Sequence, residues 1–291
     1  MSSEFRIETS DPGVFIVGKR QGSGPPLLLL HGNPLTHLSW ERIAPRLARD
    51  FTVVATDLRG YGDSSKPRGL PDHSNYSFRR MAQDQVEVMR ALGFESFFLA
   101  GHDRGARTAF RMALDHPEKV RKAAFLDILP THHVWTDVSR EWALNSYHWM
   151  FMAQPYDFPE RLLKGHEEYY IRNKLMKQGL GKGGFTEAEL LEYIRVCTPE
   201  QIHGVCEDYR AAATIDFDMD RADFEAGRKV ACPVLVLWGE LSHTGKHYRP
   251  EEVWPRYCSR IMRMQGLPCG HYPSEQATEQ TCTELQRFFS S

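Results

Sequence analysis

The 291-residue chain reads as an α/β protein, a mostly parallel sheet with helices on both faces and an inserted helical lid. Three observations predict this class. Short apolar runs alternate with segments of helical spacing over most of the chain. Some runs, Val234-Leu235-Val236-Leu237 among them, are apolar at every position, as strands buried on both faces require. One long stretch, 131–228, carries helical patterns and no convincing strand.

Taken in order, Val14 to Val17 reads as a short strand. Leu27 to Leu30 reads as a buried strand that stops at His31-Gly32, and Leu38 to Ala48 has helical spacing. Phe51 to Ala55 is a strand ended by the turn Asp57 to Gly62. Ser77 to Leu92 is a helix with Ser77 as its candidate cap. Phe97 to Ala100 is a strand followed at once by Gly101 and a helix from Arg104 to His116, and Lys122 to Ile128 is the next strand. The lid helices are Trp135 to Ala153, Pro159 to Lys177, Thr186 to Arg195 and Pro199 to Thr214. Gly179 to Gly184 lacks the Lys-Ser/Thr ending of a phosphate loop and reads as a connection. Strands at Pro233 to Trp238 and Arg260 to Gln265 and a closing helix at Ser274 to Phe289 finish the chain. The expected division is a core of residues 1–130 and 229–291 and a lid of residues 131–228. Such a lid covers the carboxyl ends of the strands, where ligands bind in parallel sheets.

Composition narrows the function. The chain is 41% apolar and 25% charged with a formal net charge of −2, which argues against disorder and leaves no basic footprint for nucleic acid. No apolar run approaches the roughly 20 residues that span a bilayer. The first residues carry no apolar signal core, so a cytoplasmic location without a membrane partner is expected. Six cysteines without a CxxC pair read as free thiols. The histidines show no HExxH spacing, so neither a metal nor a cofactor is expected.

The sharpest motif is Gly101-His102-Asp103-Arg104-Gly105, set between a strand and a helix. Glycines flanking a central residue there make a nucleophile elbow, a strained turn that pushes the central side chain up at the helix N-terminus. With the His31-Gly32 turn and a late histidine, the chain resembles the α/β-hydrolase family over nearly its whole length. The central residue is Asp103, whose carboxylate is anionic at neutral pH and needs no base to attack. It can displace a leaving group from an sp3 carbon and form an ester, whose hydrolysis then needs a base. His271 in Cys269-Gly270-His271-Tyr272 is the candidate base, with His243 and His247 as rivals. The orienting acid is Asp127 or Glu240, and Asp127 occupies the position that some dehalogenases use.

Arg104 and Arg107 are i and i+3 neighbours beside the nucleophile, and guanidinium groups bind carboxylates in a planar fork. The Asp-Arg-x-x-Arg arrangement is similar to that of fluoroacetate dehalogenases. So are Leu126-Asp127-Ile128-Leu129-Pro130-Thr131, Tyr147-His148-Trp149 and Cys206-Glu207-Asp208-Tyr209-Arg210. The resemblance implies a halide pocket of His148, Trp149 and Tyr209, three hydrogen-bond donors suited to a poor leaving group. It also implies a small anionic haloacid as substrate, water as co-substrate and a homodimer. The backbone N–H groups of Asn33 and Arg104 are expected to form the oxyanion hole. Asn33 departs from the aromatic residue expected in this turn. Two other readings stay open: an epoxide hydrolase, which needs two lid tyrosines as acids, and a non-catalytic ligand receptor on the same fold.

Overall fold

The structure, a computed structural model, describes residues 2–178 and 184–291. Eight strands form one sheet: β1 (Ser3–Glu8), β2 (Phe15–Gln21), β3 (Pro26–Leu30), β4 (Thr52–Thr56), β5 (Phe97–His102), β6 (Val120–Leu126), β7 (Val234–Gly239) and β8 (Ile261–Leu267). Their order across the sheet is β1-β2-β4-β3-β5-β6-β7-β8. β2 pairs antiparallel with both β1 and β4, and every later pair is parallel. β3, β5 and β7 are apolar because both of their faces are covered. The two sides of the sheet carry two separate apolar clusters, one around Leu28, Val54, Leu99 and Phe125, the other around Leu27, Val53, Phe98 and Leu235.

The described helices are α1 (Ala44–Leu47), α2 (Phe78–Ala91), α3 (Arg104–Asp115), α4 (Thr131–Thr136), α5 (Arg140–Asn145), α6 (Tyr147–Met152), α7 (Phe158–Leu163), α8 (Glu167–Gln178), α9 (Glu187–Val196), α10 (Pro199–Ala213), α11 (Ile215–Glu225), α12 (His243–His247), α13 (Pro250–Val253), α14 (Pro273–Gln276) and α15 (Thr278–Ser290). Ser77 caps α2 by accepting from Arg80 N, as its position in the sequence predicts. All described residues between β6 and β7 that are regular are helical, α4 to α11.

Several elements differ from the sequence expectation, each for a local reason. The single helix expected over Trp135–Ala153 is three short ones, because Ser139 caps α5 through Trp142 N and the chain leaves helical geometry again at Ser146. Leu38–Ala48 is a 3-10 turn at His37–Trp40 followed by α1. The closing helix breaks at Ala277. The strand expected at Val14–Val17 runs on to Gln21. β1 went unforeseen because an edge strand buries only one face, and Phe5 and Ile7 are its only apolar residues. α11 was also missed. Most of the glycine-rich stretch Gly179–Gly184 lies outside the described residues.

Candidate active site

β5 runs into α3 through Asp103, whose φ of 46° and ψ of −117° are strained for a non-glycine residue. The flanking glycines make this turn possible. A Cβ on Gly101 would stand 2.4 Å from the carbonyl oxygen of Gly105, and one on Gly105 would stand 2.4 Å from that of His31. Helix α3 therefore starts hard against the end of β3 and aims Asp103 into the space beneath the lid helices. The Asn33 N–H donates to Asp103 Oδ2 at 3.0 Å. Burial disfavours the Asp103 carboxylate, yet the attraction of His271 holds it well below the usual carboxylate range.

Asp127 follows β6 at a positive φ of 49°. Its Oδ1 accepts from Gly239 N at 2.9 Å and from Ser242 Oγ at 2.7 Å, which turns Oδ2 toward His271 Nδ1 at 2.6 Å. The other ring nitrogen, Nε2, lies 3.9 Å from Asp103 Oδ2. Burial opposes charge on His271, but Asp103 and Asp127 override it and raise the imidazole to about 9. Of the two acids that the sequence left open, Asp127 makes this contact, whereas Glu240 is exposed at the end of β7. His243 and His247 stand in α12, on the cavity wall, with their rings 4.5 Å apart.

The two arginines, read from the sequence as equivalent, have different surroundings. Arg104 is fully buried and neutralised: Nε donates to Asp208 Oδ2 at 2.8 Å, while Nη2 donates to the Asp208 carbonyl at 2.9 Å and pairs with Oδ1. Tyr61 Oη donates to the same carboxylate at 2.6 Å. The Tyr209 ring lies 4.1 Å from the guanidinium carbon. Among the described residues no carboxylate forms an ion pair with Arg107, although the charges of Asp103 and Asp220 act on it. Its Nη1 donates to the Leu129 carbonyl at 2.9 Å and to Thr131 Oγ1 at 3.1 Å, and its guanidinium lies 4.5 Å from the Trp149 ring. Burial and the charge of Arg104 lower Arg107 to about 10. Arg104 Nη1 and Arg107 Nε are both buried with no protein partner among the described residues.

Trp149 and His148 come from α6 and Tyr209 from α10, with ring centroids 5.8 Å apart for His148–Tyr209 and 5.9 Å for Trp149–Tyr209. Burial holds His148 well below the ordinary histidine range, so it is a neutral imidazole. A cavity of about 230 Å³ is lined by Asp103, Arg107, Asp127, His148, Trp149 and His271. Tyr209 and Arg104 do not line it but pack against Trp149, which does. Sequence reasoning missed Asp208 as the partner of Arg104 and Ser242 as a support of Asp127. Trp142 also lines the cavity, packed edge-on against Trp149. A buried arginine demands a buried carboxylate, and Asp208, one position before Tyr209, was the available signal.

Residues 25–278 match the family model described as the alpha/beta hydrolase fold. A fluoroacetate dehalogenase of Burkholderia sp. is 47% identical over 92% of this chain and 88% of its own. A soluble epoxide hydrolase of Corynebacterium sp. (strain C12) is 30% identical over 92% of this chain and 91% of its own. Among solved structures, a protein of Nostoc sp. PCC 7120 described at the level of an α/β hydrolase superposes with a TM-score of 0.95 at 49% identity, covering 99% of this chain and 98% of that one.

Proposed function

The chain belongs to the α/β-hydrolase family, and from that premise we propose that it is a haloacetate dehalogenase converting fluoroacetate to glycolate and fluoride. The observation that carries this reading is Arg107, a buried cation that forms no ion pair among the described residues, in the wall of the cavity that holds Asp103. A lone buried cation calls for an anion, and a substrate carboxylate supplies one. The free arms of Arg107 and Arg104 hold that carboxylate. Asp103 attacks the substrate's sp3 carbon, forming an ester as halide departs toward His148, Trp149 and Tyr209. His271 takes a proton from water, which attacks the ester carbonyl. The backbone N–H groups of Asn33 and Arg104 receive the oxyanion, glycolate leaves, and Asp103 is restored.

The high pKa of His271 suits this order. In the resting site the imidazolium sits between two carboxylates. Alkylation turns Asp103 into a neutral ester and removes one of them, so the imidazole sheds its proton when a base is required. Residues 131–228 act as the lid, within a cytoplasmic homodimer. Among the described residues no helix is long and apolar enough to cross a membrane.

The deciding experiment is an ion-selective assay of fluoride and chloride release from the two haloacetates, run beside epoxide turnover. Halide release is expected. In His271→Asn, the Asp103 ester should accumulate and register as a mass increase on the intact protein. Epoxide turnover without halide release would replace this reading with the hydrolase alternative.

A further inference from the structure

Asn33 occupies a position whose side chain has no role in the chemistry above, yet it is 1% exposed and touches one catalytic candidate directly. Its Nδ2 donates to Tyr209 Oη at 3.1 Å. Tyr209 is itself 1% exposed, and its ring stands against Arg104, His148 and Trp149. A phenol has one proton to give and lone pairs to receive. Whichever way its neighbour is oriented therefore decides where that single proton can go.

The amide orientation follows from the burial of its other end. As the structure has it, Asn33 Oδ1 is the atom with no partner among the described residues. The flipped amide would leave two N–H donors unpaired in the same buried place, and buried orphan donors are rarer than under-used carbonyls. The observed orientation is the less costly one. Asn33 thus donates, the lone pair of Tyr209 is filled, and the hydroxyl proton stays free.

We propose that the Asn33 side chain is a positioning residue: by donating to the Tyr209 oxygen it keeps the Tyr209 phenolic proton directed at the departing halide. This rests on the haloacetate reading of the site. The effect runs through Tyr209 alone, and it matters most for fluoride, whose charge is the most concentrated and whose departure leans most on a fixed donor.

The test is a double-mutant cycle with Asn33→Ala, Tyr209→Phe and the double variant, together with the near-isosteric Asn33→Asp as a guard against misfolding. Fluoride and chloride release are measured for each. Asn33→Ala should lower fluoroacetate turnover by about tenfold more than chloroacetate turnover, as for loss of one aligned donor. In the Tyr209→Phe background it should add nothing further. Asn33→Asp should be slower than Asn33→Ala on fluoroacetate and approach Tyr209→Phe, because its carboxylate accepts the phenolic proton. Losses that multiply in the double variant, or an Asn33→Asp enzyme with the wild-type fluoride-to-chloride ratio, would overturn the inference while leaving the haloacetate reading in place. A wild-type enzyme that releases no halide would instead remove that reading, and the inference with it.

Discussion

Asp208, which pairs with Arg104 and leaves Arg107 without an ion pair among the described residues, gives the two arginines opposite consequences for substitution. Arg104 is half of a buried ion pair, and Arg104→Ala leaves Asp208 charged and alone. Its loss should destabilise the fold by about 3–5 kcal/mol, visible as an earlier urea midpoint. Arg107→Ala removes a buried charge that has no ion-pair partner, so stability should hold or rise while KM for haloacetate climbs steeply. Equal stability losses would show that the two sites are equivalent after all. The link between Asp103 and His271 gives a second test. Asp103→Asn removes one of the two anions facing the imidazole, so the His271 titration followed by NMR should fall below its wild-type value of about 9. This residue-level chemistry was partly legible. Asp103 and both arginines stand out by spacing, because the elbow is a local motif, and His271 by its place after the last strand. Asp208 did not stand out, because its partnership spans 104 positions and two elements.

His148 and Trp149 of α6 and Tyr209 of α10 come together only in the folded molecule, so the proposed halide donors belong to the element scale. Trp149→Phe and Tyr209→Phe keep a ring and most of the packing while removing a donor. Fluoroacetate turnover should fall by a larger factor than chloroacetate turnover in both variants, and steady-state rates on the two substrates check it. Equal losses would mean that these side chains shape the lid rather than receive halide. The elements that sequence reasoning found best are those whose apolar pattern is set by burial on both faces, such as β3, β5 and β7. It did worst where caps and breaks decide. Ser139 and Ser146 divide a region whose aromatic spacing looks like one continuous helix, and β1 alternates too weakly to register.

For the whole molecule, the charge on His271 couples stability to pH. Its folded value of about 9 lies above the ordinary histidine value of 6.5, so the folded state holds the proton more tightly. The stabilisation is complete below pH 6.5 and is lost as pH rises through about 9. The wild-type Tm should therefore drop between pH 7 and pH 9 more than that of His271→Asn, where this proton is absent; parallel curves would argue that the imidazole is not held so high. The overall layout was readable from the sequence because it depends on alternation along the chain. The tethering of the inserted helices to the sheet was not, since it rests on polar contacts between distant residues.

Those tethers bear on how molecules pass in and out. Asp208 binds Arg104 and Tyr61, Gln201 accepts from Gly62 N at 2.7 Å, and Asp216 accepts from Phe78 N at 2.9 Å. Each is buried, so swinging the inserted helices away as one flap would break all of them together. Asn145 and Lys246 are exposed residues that also line the cavity, so they mark its rim, outside those tethers. Side chains at such a rim rearrange in picoseconds to nanoseconds, whereas a hinge takes microseconds or longer. Movement of such side chains, rather than a swing of the whole insert, is then the cheaper way for small molecules to reach Asp103.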